Sequence, residues 1–136
     1  MNTTAEIAEA IIMISGIGID IVDISRIERI IKKPRFLERV FTESEQERFK
    51  TLDYLSQTVA GVFAAKEAVS KALGTGFSGF NTKDVEVLPD TDGTPRVILY
   101  NGAKQRFSYL GGAIMHVSIS HERNHAIAMA VLECGQ

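Results

Sequence analysis

A β-branched run, ISGIGIDIVDI over residues 14–24, predicts a first strand. The pattern then changes to helical spacing. Ser25 is a candidate N-cap for a helix over 26–33, in which Ile27, Ile30 and Ile31 form the apolar side. Pro34 interrupts that helix and RFLERVF resumes it. Thr42 and Glu45 make a capping box that opens a helix through about Leu52. The strongest helical signal covers 56–73, with Gly74 at the position after its C-cap. Segments 83–88 and 95–100 are strand-like and flank Asp92-Gly93, a hairpin signal. A short helix is expected over 103–109, ending at Gly111-Gly112. Strands over 116–120 and 126–133 follow, joined by a polar turn at 121–124. This order predicts an α+β fold, with helices packed on a largely antiparallel sheet. Residues 1–13 read as an N-terminal extension, and 14–136 as a single domain with no linker and no internal repeat.

Composition narrows the classes. The 136 residues are 45% hydrophobic and 24% charged, with a net charge of -2. Such a chain buries a real core and is no general cationic nucleic-acid coat. Its one cysteine, Cys134, excludes an internal disulfide framework and a cysteine-based zinc cluster, and suggests a reducing, cytoplasmic setting. Glu6, Glu9, Asp20 and Asp23 interrupt the apolar start, so neither a signal peptide nor a membrane span is expected there.

Charge is unevenly placed. Residues 25–39 hold six basic and two acidic side chains, so the segment is +4 and the rest of the chain is -6. This asymmetry suggests an acidic partner on that helix, against the commoner meaning of a solvated face.

Three segments carry candidate chemistry. Asp20 stands among Ile, Val and Gly, and shares its strand side with Gly16, Gly18, Val22 and Ile24, while Ile17, Ile19 and Ile21 point the other way. A carboxylate there needs a cation, a hydrogen-bond cluster or water. The bland alternative is a frayed strand end that caps the next helix. In VAGVFAAKEAVSKALGTG, the residues Lys66, Glu67, Ser70 and Lys71 fall within an arc of about 140° on an otherwise apolar helix. Either Glu67 and Lys71 are an ordinary i,i+4 pair worth ~0.3–0.5 kcal/mol, or they line a cleft. In the cleft reading Glu67 is a hard oxygen ligand and Lys71 a phosphate-binding cation. In HVSISHERNHA, alternation puts His116, Ser118 and Ser120 on one face, which suits a phosphate or polar ligand better than a core. No G-x-S-x-G elbow supports a Ser–His nucleophile, and His116, His121 and His125 lack an established zinc spacing.

Together GIGIDIVDISRIE, FAAKEAVSKALGTG and HVSISHE resemble the holo-[acyl-carrier-protein] synthase family, small bacterial-type 4′-phosphopantetheinyl transferases. The likeness runs from about Ser15 to Glu133. It implies a 4′-phosphopantetheinyl transferase-like fold and transfer of 4′-phosphopantetheine from coenzyme A to a serine of acyl carrier protein. It also implies release of adenosine 3′,5′-bisphosphate and a role in fatty acid biosynthesis. By the resemblance, Asp20 and Glu67 are Mg²⁺ ligands and catalytic, and Lys71 is catalytic and lies at the coenzyme pyrophosphate. His116 serves the coenzyme, and Arg26, Arg35 and Arg39 dock the acidic carrier; Gly74, in the GTG turn after the helix, and Ser118, on the face of His116, are added as coenzyme contacts from the residue pattern. A homotrimer with active sites at subunit interfaces is implied, with neither nucleic acid nor membrane as a partner. The general base stays open between a Mg²⁺-bound water, or Glu67 acting through one, and His116, which suits coenzyme positioning better. Two features depart from the family: residues 1–13 precede its usual start, and Val62 stands where many members carry a basic residue.

Two other readings compete on the residues alone. A Mg²⁺-dependent nucleotide pyrophosphohydrolase would use the same carboxylates and lysine but leave the basic helix without a task. A non-enzymatic module for acidic proteins would leave Asp20 and Glu67 unexplained.

Overall fold

The structure is a computed structural model and describes residues 11–135. Its elements are β1 (Ile12–Asp23), α1 (Ile24–Ile31), α2 (Phe36–Val40), α3 (Glu43–Thr51), α4 (Ser56–Ala72), a 3₁₀ turn (Thr82–Asp84), β2 (Val85–Pro89), β3 (Pro95–Leu99), α5 (Asn101–Tyr109), β4 (Gly112–His121) and β5 (His125–Gly135). The first strand begins at Ile12, two residues before the expected start. Residues 1–10 of the expected extension lie outside the described residues.

All strand pairs are antiparallel, but they form two sheets, ordered β1-β5-β4 and β2-β3, and not one. Asn101, at φ 48°, opens α5 directly after β3. Helix α4 lies across the inner face of the three-stranded sheet. That face is lined on β5 by the small Ala126, Ala128 and Ala130 and the larger Leu132, all buried. On β1 the approach is closer still. A Cβ at Gly18 would overlap the Ala68 carbonyl oxygen, and one at Gly16 the Ala72 carbonyl oxygen. The two glycines therefore set the helix backbone directly on the strand that carries Asp20.

Two local expectations change. The N-cap of α1 is Asp23 and not Ser25: its carboxylate accepts from the Ser25 N–H at 2.9 Å, so α1 starts at Ile24. The strand expected from Lys83 starts at Val85, because Asp84 accepts from the Asn81 N–H and closes a 3₁₀ turn first. The Thr42–Glu45 capping box is present as expected.

Candidate active site

The register of β1 brings Asp20 to the inner face, opposite Ala128 of β5 and, beyond it, Ile119 of β4. Because α4 rests on Gly16 and Gly18, its polar side chains reach across to that carboxylate. Lys71 Nζ donates to Asp20 Oδ1 at 3.1 Å and to the Ile19 carbonyl at 2.9 Å. Glu67, one turn earlier on α4, is half-buried. Burial raises its pKa first, the Asp20 charge raises it further, and Lys71 and Arg26 pull it back. Two carboxylates from different elements thus face each other with two cations beside them.

The rest of the α4 stripe does not line this cleft. Lys66 is 1% exposed and points to the other side of the helix, where it pairs with Glu45 Oε1 at 2.7 Å and donates to the carbonyls of Thr82 and Val85. Ser70 is buried and donates to the Glu67 carbonyl. Of the four stripe residues, only Glu67 and Lys71 remain in the candidate site. Gly74, at φ 83°, ends the helix as expected, and its N–H donates to the Lys71 carbonyl. Arg106 of α5 holds the same turn by donating to the Leu73 carbonyl at 2.9 Å, a contact no sequence motif announces.

His116 and Ser118 lie on the opposite face of the same sheet. They stand in register with Val131 and Met129, which pair in turn with Ile17 and Ile19. His116 Nε2 bonds Glu133 Oε1 at 3.0 Å. This outer face is open, with Ile17 70%, Ile19 57% and Ile21 63% exposed. Within one chain the sheet therefore separates His116 and Ser118 from Asp20, Glu67 and Lys71.

With this geometry in view, the sequence relationships become decisive. The profile of the 4′-phosphopantetheinyl transferase superfamily matches residues 16–130. The chain belongs to that superfamily. It is similar to the holo-[acyl-carrier-protein] synthase of Clostridium botulinum, at 50% identity over 122 residues, with 89% of this chain and 98% of the relative covered. Its fold is similar to the holo-(acyl-carrier-protein) synthase of Bacillus anthracis in complex with coenzyme A (3′,5′-ADP). There the TM-score is 0.76 and the identity 42%, covering 90% of this chain and 98% of the other. A Plasmodium yoelii acyl carrier protein synthase with ADP bound gives a TM-score of 0.83 at 34% identity, covering 93% and 99%. The chain is thus an enzyme of the phosphopantetheinyl transferase superfamily, of the holo-[acyl-carrier-protein] synthase kind.

For a phosphopantetheinyl transferase, the donor set at Asp20 and Glu67 fits a hard divalent cation. Both candidate ligands are carboxylates, and the Asp20 charge makes that of Glu67 less favourable, which an ion between them would relieve. Among the described residues no third His, Cys, Asp or Glu joins them, so water and phosphate oxygens would complete the shell, as Mg²⁺ prefers. The basic segment divides. Arg26 of α1 acts electrostatically on Glu67. Arg35 and Arg39 instead line a separate groove with Phe77 and Lys83. No helix among the described residues is long and apolar enough to cross a membrane.

Proposed function

We propose that this chain, as a single domain over 14–136, transfers 4′-phosphopantetheine from coenzyme A to a serine of an acidic acyl carrier protein with the help of Mg²⁺. The observation that carries this reading is the Asp20–Glu67–Lys71 constellation, held together by the close seating of α4 on β1. Asp20 of β1 and Glu67 of α4 would hold the ion. Bound there, Mg²⁺ would neutralise the coenzyme pyrophosphate and polarise the phosphorus under attack. Lys71, whose side chain is half exposed, turns from Asp20 to the phosphate oxygens and stabilises the charge that develops on them. The turn at Gly74, at positive φ, would let backbone approach the same oxygens. The serine Oγ forms its bond to the phosphorus bearing pantetheine as the bond to the adenosine bisphosphate oxygen breaks, and the serine proton passes through a water to Glu67. The products are holo carrier and adenosine 3′,5′-bisphosphate. We assign the activity to the cytoplasm and to fatty acid biosynthesis.

Mass spectrometry of a carrier protein incubated with the enzyme, coenzyme A and Mg²⁺ tests this directly. The carrier should gain one phosphopantetheine for each adenosine 3′,5′-bisphosphate released. Cleavage of coenzyme A with an unmodified carrier would instead establish a pyrophosphohydrolase.

The same proposal includes a homotrimer. The outer sheet face is a contiguous apolar surface of a kind that marks an interaction site. It also carries His116 and Ser118, which cannot reach the carboxylates of their own chain. A ring of copies lets the outer face of one complete the inner-face centre of the next. Ile19→Glu should give a folded monomer in light scattering, with transfer lost. An Ile19→Glu trimer, or an active wild-type monomer, would refute the arrangement.

Carrier docking is assigned to Arg26, Arg35 and Arg39. Because Arg26 also acts on Glu67, the clean test reverses only the other two. Arg35→Glu/Arg39→Glu should raise KM for the carrier about tenfold or more at low salt and leave KM for coenzyme A unchanged. The effect should shrink between 0.1 M and 1 M salt, as the Debye length falls from ~10 Å to ~3 Å. Unchanged carrier kinetics at low salt would mean that the two arginines are solvated and idle.

A further inference from the structure

The end of α4 carries Lys71, and the carbonyls of residues 70–73 have no partner further along the helix. Two find backbone donors beyond it: Ser70 accepts from the Gly76 N–H at 3.1 Å and Lys71 from the Gly74 N–H at 2.9 Å. A third, on Ala72, lies against the bare backbone of Gly16 on β1. The fourth, on Leu73, accepts from Arg106 Nε at 2.9 Å, and among the described residues no other side chain donates to any of the four. Arg106 reaches this turn because α5 is seated on the loop that leaves it. Asn101 donates to Asp84 Oδ1 at 2.8 Å, and a Cβ at Gly102 would overlap the Gly79 carbonyl oxygen. The guanidinium is half-buried, has no acidic partner among the described residues and lies over the exposed ring of Tyr109. It lines neither the carrier groove nor the buried core. A cation that donates to a neutral carbonyl suits a helix C-terminus, where the last carbonyls concentrate negative charge.

We propose that Arg106 is a positioning residue for Lys71: through the Leu73 carbonyl it fixes the last turn of α4, and so the place from which the ammonium meets the phosphate. The inference rests on the transferase reading, in which Lys71 stabilises the charge that develops on the transferred group. Arg106 acts through the backbone and not on the substrate. The turn is held from one side by β1, through Gly16, and from the other by α5, through Arg106. Without the guanidinium the Leu73 carbonyl turns to water and the helix frays from Gly74 backwards. Lys71 stands two residues before that carbonyl and moves with it. A displacement of about 1 Å in a charge-stabilising group costs up to about 10²-fold in rate.

The test compares wild type, Arg106→Met and Arg106→Lys, each alone and combined with Lys71→Ala, well below their melting temperatures. Arg106→Met keeps the apolar stem and should lower kcat about tenfold while leaving KM for the carrier unchanged. In the Lys71→Ala background the same substitution should cost less than about twofold, because its effect runs through the missing ammonium. Arg106→Lys can still donate to the carbonyl and should return to within about threefold of wild type. Hydrogen exchange gives a readout that needs no turnover. In Arg106→Met the Gly74 and Gly76 amides should exchange about tenfold faster, while those in the middle of α4 keep their wild-type rates. An equal loss of kcat with and without Lys71 overturns the assignment, since it reports fewer folded molecules and not a displaced lysine. Wild-type kcat in Arg106→Met overturns it as well, whatever the exchange. If wild type modifies no carrier, the transferase reading itself has failed, and exchange at Gly74 and Gly76 still decides whether Arg106 holds the turn.

Discussion

Asp20→Ala and Glu67→Ala should each lower kcat/KM for carrier modification by about 10³ or more and leave the protein folded. The two halves of this expectation have separate physical grounds. Activity falls because each carboxylate supplies half of the protein's oxygen donors to the candidate metal site. Stability hardly changes because neither side chain supports the core. Asp20 is partnered by a half-exposed Lys71, a pair worth at most about 1 kcal/mol. Glu67 is half-buried with a raised pKa, so its charge is already held against desolvation and against Asp20. Removing Asp20 relieves Glu67 of one of the two effects that raise its pKa. Calorimetric titration with Mg²⁺ and thermal melting decide the matter together. Undiminished Mg²⁺ affinity in Asp20→Ala/Glu67→Ala would place the metal elsewhere. A lowered melting temperature with normal affinity would make the carboxylates structural.

The order of elements was legible in the sequence because each boundary carries its own local chemistry. Thr42 and Glu45 form their capping box, Gly74 adopts a positive φ, and Asp92-Gly93 joins a paired hairpin. Asp20 and Glu67 were legible for another reason: a carboxylate in an apolar run is costly unless something holds it. What periodicity could not reveal was distance between chain segments. It placed Lys66 and Lys71 in one polar arc, yet the two ammonium groups leave opposite edges of α4, one to the core and one to Asp20. It set Ile17, Ile19 and Ile21 apart from Asp20 but could not say that their side is the open one. Strand alternation grouped His116 with Ser118 correctly. Only the register across β5 shows that this group lies on the far face from Asp20.

Lys66 is where a local reading and the folded chain differ most, and it should give the largest change in stability. Its ammonium and the Glu45 carboxylate are almost wholly shielded from water, with side-chain exposures of 1% and 0%. Burial lowers the pKa of the lysine and raises that of the glutamate, each opposed by the other's charge. Glu45 also accepts from the N–H groups of Thr42 and Val87, so the pair ties α4 to α3 and β2. Lys66→Met would leave that carboxylate without its cation and should cost about 3–5 kcal/mol. At this chain length the loss corresponds to a fall in Tm of about 10–20 °C. Glu45→Gln/Lys66→Met removes the stranded charge while an amide oxygen can still accept from Val87, so at least half of the loss should return. Because Lys66 directly precedes Glu67, the single variant should also bind Mg²⁺ more weakly, and the double variant should regain affinity together with stability. Chemical denaturation of the three proteins measures the cycle. A single variant that loses less than about 1 kcal/mol would show that Glu45 takes up a proton and needs no cation. A double variant no more stable than the single would show that the lysine's bonds to Thr82 and Val85 fix the helix, and not its charge.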